Sequence, residues 1–171
     1  MTDTLSGSVP DHVEDAVDRL LGAACEKELS LVTAESCTGG LFASILTDVS
    51  GRSHAFERGF VTYTNQAKAE MLGVDPALLE DPGPVSEPVA RAMAEGALRN
   101  SRGDLALSVT GFAGPAGPED EPGLVHFGLA RRNGPTVHRC EHFGSDDRGE
   151  VRVKCLETGL EMLQAAVAET G

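Results

Sequence analysis

Residues 32–49 read VTAESCTGGLFASILTDV. An apolar run ends in a polar, glycine-containing turn, and the turn opens directly into residues spaced for a helix. Leu29, Leu31, Val32 and Ala34 predict a short buried strand, while Leu41, Phe42, Ile45, Leu46 and Val49 recur at helical spacing. Ser36 and Thr38 fall at the crossover. Ligands collect at such turns in α/β sheets, because strand carboxyl ends and helix amino ends converge there. Free N–H groups at a helix start favour an anion, and Gly39 and Gly40 let a ligand approach the main chain. Ser36 is therefore a candidate nucleophile. A plainer reading also stands: Ser36 or Thr38 is simply the helix N-cap.

Around this stretch the chain has 171 residues, enough for one domain with a real core. Its 14 Lys and Arg against 27 Asp and Glu give a net charge of −13, which argues against a nucleic-acid surface and leaves room for an isolated basic pocket. No apolar run approaches a membrane span, and MTDTLSGSVPDH has neither the basic nor the apolar region of a signal peptide. A cytoplasmic location without membrane contact is expected. Cys25, Cys37, Cys140 and Cys155 form no CxxC pair, so neither a disulfide nor zinc is expected.

Read outward, residues 1–10 are polar and expected to be mobile, and 11–171 form a single domain. Val13, Ala16, Val17, Leu20, Leu21 and Ala24 mark a first helix. Ala55 to Tyr63 predicts a strand in which Gly59 marks a bulge or a close approach. Asn65 is read as the N-cap of a short helix that Gly73 ends, and the proline-rich residues 75–88 as a connection. Ser86 caps a helix running to about Arg99, and Leu105, Leu107 and Val109 form a strand. The glycine- and proline-rich residues 110–123 are a candidate lid or binding loop. Residues 124–130 and 135–143 predict an antiparallel hairpin turning at Arg132, Asn133 and Gly134. Asp146 or Asp147 caps a final helix with Val151, Cys155, Leu156, Leu160, Leu163 and Val167 on its apolar face. Early alternation of helices and strands followed by a hairpin implies an α/β fold, a three-layer α/β/α arrangement with a mixed sheet.

Five segments in order, TAESCTGG, FERGFVTYTNQAKAEMLGV, GPVSEPVA, SVTGFAGPAG and the DR-x-x-VR run of Asp147 to Arg152, resemble the CinA C-terminal domain family over about His12 to Leu163. That family includes nicotinamide-nucleotide amidohydrolases, also called nicotinamide mononucleotide deamidases, which release nicotinate mononucleotide and ammonia. The resemblance implies that reaction here, in the stand-alone form, with a small nucleotide as substrate and no cofactor. It is compatible with a homo-oligomer. The chain departs from the family after Gly117, where a glycine and a lysine usually precede Pro-Val-Gly; here Pro118 replaces the glycine and the lysine is absent.

Amide hydrolysis needs a nucleophile, a base, donors for the oxyanion and a proton for ammonia. Ser36 is the expected nucleophile, with N–H groups among Cys37, Thr38, Gly39 and Gly40 as the oxyanion donors. The five histidines form no recognisable triad, so a lysine or tyrosine base is needed. With Asn65 as N-cap, Lys68 sits at N3, where the helix dipole disfavours its charge. Tyr63, the only tyrosine, stands five residues earlier and is read as relay or orienter. The resemblance supports this Ser, Tyr and Lys set; the plainer reading makes Lys68 a surface charge and Tyr63 a rim residue. Backbone N–H groups of Thr110, Gly111 and on to Gly114, with Arg148, are candidates for the phosphate, against a plain turn and an exposed first-turn arginine. Cys37 is a rival nucleophile, since a thiol at a helix start tends toward thiolate. His138, Cys140 and His142 alternate on one strand and invite a metal reading, set aside because strands routinely alternate and no fourth ligand is evident.

Overall fold

The computed structural model describes residues 9–144 and 147–171. In chain order the elements are α1 (Asp11–Glu26), β1 (Leu31–Glu35), α2 (Leu41–Thr47), β2 (Phe56–Val61), α3 (Asn65–Leu72), α4 (Pro76–Glu80), α5 (Glu87–Arg99), β3 (Leu105–Gly111), β4 (Leu124–Arg131), β5 (Val137–His142) and α6 (Arg148–Glu169). A 3-10 turn, Ser53–Ala55, leads into β2.

All five residues of β1 are buried, as are the first six of β3, so these strands are covered on both faces and carry apolar runs rather than alternation. The sheet order is β2-β1-β3-β4-β5. β1 pairs in parallel with β2 and β3, whereas β3, β4 and β5 pair antiparallel, which gives the expected mixed sheet. Val17, Leu21, Phe42, Leu156 and Leu160 of α1, α2 and α6 fill one face against Leu107 and Phe127. Leu72, Leu79, Val89, Met93 and Ala97 of α3, α4 and α5 fill the other against Val32 and Ala106. The result is the three-layer α/β/α fold. No helix among the described residues is long and apolar enough to cross a membrane.

Several boundaries differ from the sequence reading, each for a local reason. Of the expected mobile segment, residues 1–8 lie outside the described residues, as does Asp146; Val9 is buried in the core beside α1, so the packed unit starts earlier than expected. Asp147 caps α6, its carboxylate accepting from the Glu150 N–H at 2.9 Å. The register step between β1 and β2 leaves Glu57 opposite nothing, two residues before Gly59. Gly59 itself is the close approach, since a Cβ there would stand 2.8 Å from Thr33 Oγ1. Residues 76–80 form α4, which had been read as connection; Asp75 caps it and Pro76 occupies its first turn.

α3 is held against α5 by a contact that only glycine permits. A Cβ on Gly96 would lie 1.9 Å from the Leu72 carbonyl oxygen. Gly96→Ala is expected to cost about 1–3 kcal/mol or more, because backbone rather than a flexible side chain must move. The drop in denaturant midpoint measures it. Activity should fall with it, since α3 carries Lys68.

Candidate active site

β1 delivers a buried carboxylate to the turn that follows it. Glu35 Oε2 accepts from Thr38 Oγ1 at 2.6 Å, Gly40 N at 3.1 Å and Phe42 N at 3.0 Å, and Oε1 accepts from Ala43 N at 2.9 Å. Gly39 and Gly40, with φ of 60° and 97°, fold the chain back so that the amino end of α2 meets the strand end it came from. The N-cap position is Gly40, and the capping group is Glu35; neither Ser36 nor Thr38 is the cap.

This changes which N–H groups can serve an oxyanion. Those of Ser36, Gly39, Gly40 and Leu41 already have acceptors in Val109, Ser36, Glu35 and Thr38. Of the four expected donors, Gly39 and Gly40 therefore drop out. Among the described residues, Cys37 and Thr38 are left with N–H groups to offer. Arg152 clamps the same turn from α6, its Nε donating to the Cys37 carbonyl at 3.0 Å.

The Ser36 hydroxyl, spared from capping, meets the Lys68 amine at 2.9 Å. Lys68 Nζ also donates to the carbonyls of Thr62 at 3.0 Å and Tyr63 at 3.3 Å. Thr64, not Asn65, caps α3, its hydroxyl accepting from Ala67 N at 3.1 Å, so Lys68 is at N4 rather than N3. The helix dipole opposes its charge less from there. Burial takes its place: the Lys68 side chain is 1% exposed, and desolvation holds its amine below the ordinary lysine value, with a nearby Cys37 charge acting the other way. Tyr63 reaches Lys68 through its carbonyl; its ring is 67% exposed at the cavity mouth, so no phenol relay is built.

Cys37 lies beside Ser36 but is engaged elsewhere. Its hydrogen bond with Cys155 on α6 lowers the Cys37 thiol against the effect of burial and raises that of Cys155. Both thiols are free of disulfides and belong to the core.

Ser36, Cys37, Tyr63, Lys68, Thr110, Gly111 and Arg148 border one cavity of about 300 Å³. Thr38, Gly39 and Gly40 shape the turn behind it. Gly114, at φ 125°, lies just beyond, with the Arg148 guanidinium 3.3 Å from where its Cβ would be. The Phe112 N–H is committed to the Leu124 carbonyl, so that one of the expected loop donors drops out.

Sequence reading gave no site role to Glu35, Arg152 or Asn65. An acidic residue closing an apolar strand was the available signal for Glu35, and the i, i+4 spacing from Arg148 was the signal for Arg152. Asn65, released from capping, borders the cavity, as does Phe112.

With this geometry in view, the model of the CinA C-terminal domain matches residues 13–167. The chain belongs to the CinA C-terminal domain family. The nicotinamide-nucleotide amidohydrolase PncC of Escherichia coli is 48% identical over 136 residues, covering 78% of this chain and 82% of that protein. A CinA-like protein of Syntrophus aciditrophicus is 46% identical over 159 residues, 92% of this chain but 37% of its own length. The chain spans 30–38% of the longer curated relatives of this kind. Among solved structures, the competence/damage inducible protein CihA from Agrobacterium tumefaciens superposes with a TM-score of 0.90 at 44% identity, covering 94% of this chain and 98% of that one. A CinA superfamily protein from Escherichia coli gives 0.84 at 34% identity, covering 92% and 93%. The α/β/α architecture is thus the fold of CinA superfamily proteins.

Proposed function

We propose that this chain hydrolyses the amide of nicotinamide mononucleotide to nicotinate mononucleotide and ammonia. The similarity to the Escherichia coli amidohydrolase supports the substrate, and the 2.9 Å contact between buried Lys68 and Ser36 carries the mechanism. A neutral amine has two hydrogens and one lone pair. The Thr62 and Tyr63 carbonyls take the hydrogens, which aims the lone pair at the Ser36 proton. Ser36 Oγ attacks the carboxamide carbon as Lys68 accepts that proton, and the Cys37 and Thr38 N–H groups receive the oxyanion. Lys68 then returns the proton to the departing ammonia, leaving an acyl-serine that water opens by the same base. The Tyr63 ring is placed to cover the substrate at the mouth.

Purified protein with nicotinamide mononucleotide in excess EDTA should release ammonia and nicotinate mononucleotide in equal amounts. No product under conditions where the Escherichia coli relative turns over would end the reading. A second reading, a catalytically silent nucleotide-binding domain, is favoured only by the altered residues 118–123. Tight calorimetric binding without turnover would support it.

Arg148 borders the cavity at the start of α6 and lies against Gly114 just beyond it, where helix dipole and guanidinium both favour a phosphate. Arg148→Ala is expected to raise KM for the nucleotide on the order of 10- to 100-fold with little change in kcat, because a remote anion contact contributes uniform binding. Nicotinamide riboside, which lacks the phosphate, should be nearly indifferent to the change. Equal losses with both substrates would place Arg148 in another role.

A further inference from the structure

The cavity reverses the charge of the chain that builds it. That chain carries 27 Asp and Glu against 14 Lys and Arg, yet Lys68 and Arg148 border the cavity and, among the described residues, no carboxylate does. Such a wall suits the phosphate of a nucleotide. It does nothing for the other end of nicotinamide mononucleotide, whose pyridine ring carries a fixed positive charge at the nitrogen bonded to ribose. A cation taken out of water needs a partner, and without a carboxylate that partner must be of another kind. Two aromatic residues, Tyr63 and Phe112, border the same cavity. β1 lies between β2 and β3 and pairs in parallel with both, so the three strands end on one edge of the sheet. Ser36 leaves the middle strand. Tyr63 follows β2 and Phe112 follows β3, which puts one aromatic residue on either side of the Ser36 turn. Neighbouring strands sit roughly 5 Å apart, so these two main chains stand roughly 10 Å apart, and one planar ring fits between aromatic side chains across that span. Both main chains are held. The Tyr63 carbonyl accepts from Lys68 Nζ at 3.3 Å, while Phe112 donates its N–H to the Leu124 carbonyl at 2.9 Å and accepts from Gly123 N at 2.8 Å.

We propose that Tyr63 and Phe112 hold the pyridinium ring of the substrate between them and thereby select the charged ring over its neutral dihydropyridine form. The proposal rests on the nicotinamide mononucleotide reading above. The face of an aromatic ring is electrostatically negative and attracts a cation that lies within about 6 Å of its centre. Tyr63 is 67% exposed, which leaves a ring face free for a ligand. Val85 and Pro115 add apolar surface to the same wall, and contact that excludes water strengthens the attraction. A nucleotide with a cationic ring and an anionic phosphate then meets aromatic faces at one end and Arg148 at the other. The ring charge also serves the chemistry. A cation beside Lys68 disfavours the ammonium and keeps the amine free to accept the Ser36 proton. Reduction of the ring removes its charge but keeps carboxamide, ribose and phosphate, so a comparison of the two ring states isolates the aromatic contact.

Calorimetry on the full chain carrying Ser36→Ala should show nicotinamide mononucleotide binding roughly 5-fold or more tightly than its reduced form. Adding Tyr63→Leu or Phe112→Leu, which keep apolar bulk but remove the ring, should each narrow that ratio about 2- to 5-fold, whereas Tyr63→Phe should keep most of it. A direct optical readout is available. Tyr63 is the only tyrosine and the chain has no tryptophan, so its ultraviolet emission reports this ring, and a stacked pyridinium quenches an excited phenol by accepting an electron. Quenching by the oxidised nucleotide should saturate at the calorimetric dissociation constant. Equal affinity for the two ring states would overturn the proposal, as would a ratio that both leucine variants leave unchanged or Tyr63 emission that survives saturation. Ammonia release from the wild-type chain is measured separately. Turnover with equal affinity for both ring states would keep the reaction and remove the aromatic selection, while a charged-ring preference that both leucine variants diminish would support the selection even without turnover.

Discussion

Ser36→Ala is expected to reduce kcat by about 10,000-fold or more while leaving nucleotide binding nearly intact, because removing a nucleophile eliminates the covalent path and spares the contacts that hold substrate. The cavity supports so clean a separation. Ser36 is 7% exposed, its N–H is held by Val109, and the turn around it is fixed by Glu35 and Arg152 rather than by its own hydroxyl. Alanine therefore deletes one oxygen without unravelling the turn. Cys37→Ala should keep most activity, since that thiol is directed to Cys155 in the core. Rapid-quench assays on both variants, paired with calorimetric nucleotide binding, measure the contrast. Turnover that survives Ser36→Ala and disappears in Cys37→Ala would transfer the nucleophile to the thiol.

The strand, turn and helix of residues 31–47 were readable because burial on both faces and helical spacing are local patterns. What capped the helix was not. A carboxylate that reaches forward from position 35 to the N–H groups of residues 40, 42 and 43 depends on two glycines reversing the chain, which spacing does not reveal. α4 carried legible signals in Asp75 and Pro76, but five residues among prolines read as a connection. Lys68 is the instructive case: the sequence argued for a perturbed amine from a helix position that Lys68 does not occupy. Its chemistry comes instead from tertiary burial, and that burial carries a second consequence.

Lys68→Arg is expected to be nearly as inactive as Lys68→Ala, with kcat down about 100- to 10,000-fold, because a guanidinium keeps the charge but cannot accept the Ser36 proton. In the wild type, kcat/KM should rise with pH as the lowered Lys68 amine loses its proton, and reach its plateau below the ordinary lysine value near 10.4. Stability must follow the same titration. Folding depresses this amine's affinity for protons, so between the folded value and the ordinary one the unfolded chain binds more protons than the native chain. Stability contributed by Lys68 therefore rises with pH across that window, and below it the fold bears the full cost of a buried ammonium. Lys68→Met removes the group and should flatten the rise while abolishing turnover. Denaturant midpoints measured from neutral pH to about 10, beside the activity profile, test both effects on one residue. A Lys68→Arg variant with near-normal kcat, or a Lys68→Met variant that keeps the wild-type slope, would mean that the amine stays charged at Ser36 and that the proton leaves by another route.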